Sequence, residues 1–211
     1  VADVVRARDA AARAYFAKAS GDLEPDVLAP ELPTYLAALA FLVPDRALAV
    51  DVGTGDGRLL DVLAPIFERI VAVDRSDAQL ARARARVAAR GYGNVELMQG
   101  ELDDAAVGRH VKKLGGADVV VASRVLHHAP RPDRALVALT ALARPGGAVH
   151  VVDYPPHDAE RLRETQADHW LGFSAAELLV HATKAGLERP TISPLPPSLR
   201  RAMASPDARV P

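Results

Sequence analysis

The sequence predicts an α/β protein, a three-layer sandwich in which a mostly parallel sheet of six or seven strands carries helices on both faces. Three observations predict it. Short apolar runs without a regular polar face recur at 47–52 (ALAVDV), 69–74 (RIVAVD), 94–98 (NVELM), 117–123 (ADVVVAS) and 148–153 (AVHVVD), as strands buried on both sides do. Helical stretches alternate with these runs, which calls for right-handed crossovers between parallel strands. The bulk chemistry is that of one globular unit: 211 residues, 49% hydrophobic and 25% charged, enough to bury a sizeable core.

Each element has its own signal. Residues 3–19 are rich in Ala and Arg and read as an amphipathic helix; 33–43 reads as a second, with Pro33 in its first turn. The strand at 47–52 runs through a glycine-rich turn into a helix over 58–63. The strand at 69–74 precedes a helix over 78–90, whose Arg-rich stretch 82–90 reads as a solvated face. A helix over 134–143 separates the fourth run from the fifth. From residue 159 the texture is helical again through RLRETQADHW. Ser174 and Glu177 form a capping box, and Gly186 closes that helix. A sixth strand is expected at 187–192. The Pro-rich end, 196–211, is poor in β-branched and aromatic residues, so a seventh strand is short or missing. The organisation is therefore a helical cap or linker (1–44), a ligand-binding domain (45–195) and a tail (196–211).

Several functions are disfavoured by composition. The formal net charge is −1, with no basic footprint for nucleic acid. No apolar run approaches the roughly 20 residues of a membrane span. No signal-peptide pattern is visible. There is no cysteine, which excludes disulfides, thiolate metal sites and a thiol nucleophile and fits a reducing cytoplasm. No metal site is expected.

The strongest motif is the turn after the first strand, Asp51-Val52-Gly53-Thr54-Gly55-Asp56-Gly57. Glycines let the chain turn sharply and let a ligand approach the backbone, and the following helix start offers free N–H groups. Asp74 ends the second strand, 21 residues after Gly53, where an acid can accept hydrogen bonds from both hydroxyls of a ribose. Such a site suits any Rossmann-like nucleotide fold. A dinucleotide fingerprint, GxGxxG, would need its third glycine at position 58, and that residue is Arg58. A glycine turn serving only as punctuation is the plainer alternative.

The GxGxG spacing with Asp51 ahead of it resembles the motif of class I S-adenosylmethionine (SAM)-dependent methyltransferases. The resemblance implies SAM as cofactor, with S-adenosylhomocysteine as product. It places the amino-acid end of SAM on Asp51, Gly53, Thr54, Gly55 and Gly57, and the ribose on Asp74 with Arg75 beside it. It extends to Glu101 and Leu102, where the family usually has Asp and where the adenine would be met. It continues through Ser123-Arg124-Val125-Leu126-His127-His128 beside the methyl group, and Arg144-Pro145-Gly146-Gly147 before the fifth strand. His127 and His128 are then the candidates for a general base, although one can pack under the cofactor while the other is solvated. Tyr15, Tyr154, His157, His169 and Trp170 are candidates for the acceptor pocket, or ordinary core and surface residues. Residues 150–173, ending in Asp168-His169-Trp170-Leu171-Gly172-Phe173, resemble bacterial methyltransferases fused behind an ArsR-type winged-helix repressor. The segment RARDAAARAYFAKASGD resembles their interdomain joint. A winged helix ahead of Val1 is implied by that branch, and a homodimer is compatible with it.

Among acceptors, arsenite is disfavoured by the lack of cysteine, and RNA by the neutral charge. A small molecule, quinone-like or phenolic, is favoured by analogy. Two rivals stand beside this reading. One is a non-catalytic SAM- or S-adenosylhomocysteine-sensing domain of a transcriptional regulator. The other is a nicotinamide-dependent oxidoreductase, disfavoured by Arg58 and the lack of a Tyr-x-x-x-Lys pair.

Overall fold

In the computed structural model, residues 32–165 and 168–194 are described. The helix expected at 3–19, Tyr15 and the tail at 196–211 lie outside them. The described chain runs α1 (Leu32–Ala40), β1 (Leu48–Val52), α2 (Leu60–Leu63), β2 (Arg69–Asp74), α3 (Asp77–Arg90), β3 (Val95–Gln99), α4 (Ala105–Lys113), β4 (Ala117–Ser123), a 3₁₀ turn (Leu126–His128), α5 (Pro132–Leu142), β5 (Ala143–Val152), α6 (Arg161–Thr165) and α7 (Ala175–Lys184). All strand pairs are parallel, and the sheet order is β3-β2-β1-β4-β5.

That order follows from burial. Every residue of β1 is buried, so the strand needs neighbours on both edges and cover on both faces. Leu48, Val50 and Val52 pack with Val71, Val73 and Val120 on one face, under Val107 and Val111 of α4 and Leu136 and Leu139 of α5. Ala49, Ile70 and Ala72 face the other side, against Leu60, Leu63 and Phe67. After β1 the chain moves outward to β2 and β3, then returns to place β4 on the opposite edge. The crevice between the β1 and β4 ends is thus a topological switch point, where open α/β sheets bind ligands.

Local signals were mostly sufficient. The side chain of Ser76 caps α3, which ends at Gly91 in the left-handed region. Ser174 and Glu177 form the expected capping box of α7, with Gly186 just beyond its end. α4 was not foreseen: Gly108 and the valines weaken its propensity. Asp104 nevertheless caps it, and Val107 and Val111, one turn apart, supply its buried stripe.

Three expectations change. The described sheet has five strands, not six or seven. Residues 187–192 form no strand, because Arg189 takes a positive φ of 52° and Pro190 offers no N–H to a ladder. The helix expected from residue 159 shrinks to α6. The fifth strand begins at Ala143, five residues earlier than expected, with a register shift opposite Ala117 and Val119 that accommodates Pro145-Gly146-Gly147.

At the other end of the sheet, Asp118 accepts the Leu48 N–H at 2.9 Å and an ion pair from Arg144, which also reaches Asp45. Burial raises the Asp118 pKa, but the Leu48 hydrogen bond and the Arg144 guanidinium outweigh it and hold the carboxyl below its ordinary value. A depressed folded-state pKa contributes stability that is present above the unfolded value, near 4, and lost as pH falls through the folded one. Asp118→Ala is expected to lower unfolding free energy by about 1–3 kcal/mol at pH 7. Urea unfolding should show that deficit shrinking below pH 4; a constant deficit would contradict the assignment.

Candidate active site

The Gly53–Gly57 turn crosses the end of β1 with all three of its glycines at positive φ, 72°, 57° and 80°. The N–H groups of Gly53 and Thr54 both donate to the Val73 carbonyl, at 2.8 and 2.9 Å, which pins the turn to β2. Gly53 is forced by packing as well, since a Cβ there would run into the Val125 side chain. At Gly55 the same atom would meet nothing within 4 Å. The turn is therefore closed toward β4 at one glycine and open at the next.

Asp74 ties this turn to the start of α3. One carboxylate oxygen accepts the Gly55 N–H and the other the Ser76 N–H, each at 2.8 Å. Each oxygen keeps a lone pair for a ligand. Arg75 is exposed, Ser123 is half-buried at the end of β4, and Glu101 and Leu102 sit just past β3, exposed and half-buried respectively.

Asp51 is the unusual group. It is 1% exposed, and burial pushes its pKa up to about 6; the Asp74 carboxylate adds to the rise and the Thr54 side chain opposes it. Asp51 Oδ2 and Thr54 Oγ1 are both buried without a hydrogen-bond partner among the described residues. Buried polar atoms normally have partners. An acid and a hydroxyl left open beside a turn of backbone amides suit a ligand carrying an ammonium group next to a carboxylate.

A second cluster lies past β4. His127 is buried in the 3₁₀ turn, its Nδ1 2.8 Å from Asp153 Oδ1. Asp153 also accepts backbone N–H groups from Leu126, His127 and Tyr154 at 3.0, 3.3 and 2.8 Å. Each Asp153 oxygen thus accepts at least one amide N–H, and the ring contact is assigned as His127 Nδ1–H donating to Oδ1. Asp168 Oδ1 lies 3.6 Å from His127 Nε2 and 3.4 Å from His128 Nδ1. The two histidines thus turn to the same carboxylate, with ring centroids 4.1 Å apart. The His127 side chain is 3% exposed and that of His128 33%, so only His128 opens substantially toward solvent.

Around them, the Tyr154 ring is 5.2 Å from His127 and 6.0 Å from His157. Trp170 Nε1 donates to the Ala129 carbonyl, and the N–H groups of His169 and Trp170 both donate to the His127 carbonyl. Tyr154, His157 and Trp170 therefore do gather near the histidine pair. His169 does so only through its backbone, its side chain being exposed. Asp153 and Asp168 are the members that sequence reading missed. Asp153 carried a readable signal, an acid at a strand end like Asp74; Asp168 is marked only by its place in the DHWLGF segment.

The methyltransferase-domain family model matches residues 50–149, from β1 to β5. An uncharacterized methyltransferase of Mycobacterium tuberculosis is 34% identical over 123 residues, covering 57% of each chain. A ubiquinone biosynthesis O-methyltransferase of Acinetobacter baumannii is 29% identical over 100 residues, 47% of this chain and 40% of that one. An arsenic(III) S-adenosylmethionine methyltransferase from Chlamydomonas reinhardtii has the same fold, with a TM-score of 0.51 at 22% identity over 66% of this chain and 51% of the other. This chain spans between 28% and 57% of the length of the first curated relatives it matches. Among the described residues no helix is long and apolar enough to cross a membrane.

Proposed function

We propose that this chain, whose residues 50–149 match the methyltransferase-domain family, is a SAM-dependent methyltransferase acting on a small, phenolic or quinone-like acceptor. The observation that carries the reading is the pair of unpartnered buried atoms, Asp51 Oδ2 and Thr54 Oγ1, beside the glycine turn and Asp74. In this reading Asp51 and Thr54 meet the ammonium of SAM, and the amides near Gly53, Gly55 and Gly57 its carboxylate. Asp74 and Arg75 serve the ribose, Glu101 and Leu102 the adenine, and Ser123 the methionine chain. SAM supplies a methyl group already activated on a sulfonium, so the protein's task is orientation and, for an acceptor bearing a proton, its removal.

His128 is the better-placed base, because it alone of the pair reaches solvent, while Asp153 fixes His127 behind it. Tyr154, His157 and Trp170 give the acceptor side an aromatic lining suited to a planar ring. The likeness to a ubiquinone biosynthesis O-methyltransferase supports that acceptor class. The ArsR-associated branch rests on the residues at 150–173, and regulation by or alongside an attached winged helix belongs to the same proposal. No nucleic-acid or membrane contact is assigned to this chain.

Isothermal titration with SAM, alongside turnover on phenol and quinol acceptors, tests the reading. With the Asp51 pKa near 6, the carboxyl is protonated below that pH and cannot serve an ammonium group. SAM affinity should therefore rise with pH through about 6 and level off above 7, falling toward tenfold per unit on the acid side. Asp51→Asn should bind more weakly and flatten the profile. Absence of SAM binding, or an unchanged acid limb in Asp51→Asn, would sink the assignment.

A further inference from the structure

The cluster past β4 has a feature that proton transfer does not need. With Nδ1 engaged by Asp153, the other ring nitrogen of His127, Nε2, faces Asp168 Oδ1 at 3.6 Å. The separation exceeds a shared-proton hydrogen bond. It is close to the edge of a tetrahedral coordination shell, about 3.3 Å for metal–ligand distances near 2.0–2.1 Å. The second edge, Asp168 Oδ1 to His128 Nδ1, is 3.4 Å. One donor atom from each of the three side chains lies within 4.8 Å of the other two.

Asp168 supplies an independent observation. Its side chain is 1% exposed, and Oδ1 has no hydrogen-bond partner among the described residues, although it is aimed at both imidazoles. Asp153 supplies another. A metal-bound imidazole characteristically donates its remote N–H to a carboxylate that fixes its tautomer and orientation, and His127 Nδ1 does this at 2.8 Å. The segment bringing Asp168 is in turn bonded to the same turn, through the His169 and Trp170 N–H groups on the His127 carbonyl.

We infer that His127, His128 and Asp168 form a binding site for a first-row divalent transition-metal ion, with zinc the best-matched occupant. Two imidazoles and one carboxylate favour zinc over magnesium, which prefers an oxygen shell. Three protein donors leave a fourth coordination position for water or an acceptor oxygen. The inference stands apart from methyl transfer: with the ion in place, His128 acts as a ligand and not as a base. The sequence reading expected no metal because the three ligands are spread over 42 positions and belong to no spacing motif.

Titrating Zn²⁺ into the full chain after chelator treatment tests this. One equivalent should bind, and Asp168→Asn and His128→Gln should each weaken it at least about tenfold, Asp153→Asn by about 10–100-fold. His110→Gln, which removes a histidine paired with Glu96 outside the cluster, should leave the affinity unchanged. Co²⁺ loaded into the unmodified chain should show the visible absorption of a four-coordinate nitrogen and oxygen site, a readout independent of any variant's folding. No stoichiometric Zn²⁺ uptake, or uptake undiminished in both ligand variants, overturns the site. SAM titrations on the same samples keep the two readings separable, since Asp51 and Asp74 are untouched.

Discussion

Gly53→Ala should abolish SAM binding and destabilise the chain together. At φ 72° an L-residue is already strained, and the added Cβ would occupy the space of the Val125 side chain. Strain and overpacking of this kind each cost about 1–3 kcal/mol, so a loss of roughly 2–6 kcal/mol in unfolding free energy is expected. The turn cannot relieve the clash by moving, because the Gly53 and Thr54 N–H groups are held by Val73. Relief must come from pushing the β4 exit away from β1, which opens the crevice where SAM is proposed to sit. Gly55→Ala is the informative control. It meets no atom within 4 Å, so it carries only the left-handed backbone cost of about 1–2 kcal/mol and acts mainly on the ligand side. Urea unfolding and SAM titration of both variants check this. Wild-type stability in Gly53→Ala would mean that the packing against Val125 is not as described.

Asp153→Ala should do the reverse, removing turnover while SAM still binds. The carboxylate organises four donors at once: the Leu126, His127 and Tyr154 amides and the His127 ring. Deleting it strands buried N–H groups at about 1–3 kcal/mol for each that finds no water. It also frees the His127 ring, and with it the alignment of His128 and Asp168. A loss of about 10²–10⁴-fold in kcat is expected, the range for removing organised acid–base help. SAM affinity should change little, because Asp51, Asp74 and the glycine turn belong to β1 and β2. Asp153→Asn, which keeps one acceptor oxygen, should fall between. Undiminished kcat in Asp153→Ala would remove the cluster from the reaction.

The glycine turn was legible because its residues are close in sequence and their spacing is their geometry. Gly53, Gly55 and Gly57 must sit where the strand turns, and Asp74 must end the next strand. The strands β1, β2 and β4 were readable for a related reason: a run buried on both faces has no polar partner positions to confuse it. The histidine cluster was readable only in part. His127 and His128 stood out as neighbours, yet their common aim at Asp168 depends on a 3₁₀ turn and on a segment 40 residues downstream. No periodicity encodes such a meeting. α4 was hidden by valines and a glycine whose low propensity is overridden by burial. The expected sixth strand failed at Arg189-Pro190, where an apolar texture outweighed a visible breaker.

The two halves of the site also occupy separate stretches of chain. Every residue proposed for the donor lies between 51 and 123, and the residues gathered around the histidines lie between 127 and 170. The link between them noted at the crevice is the packing of Gly53 against Val125. Substitutions in the stretch after β5 can therefore change what the histidine pair faces without touching Asp51, Asp74 or the glycine turn. One side of the crevice is free to diversify because the other does not have to follow.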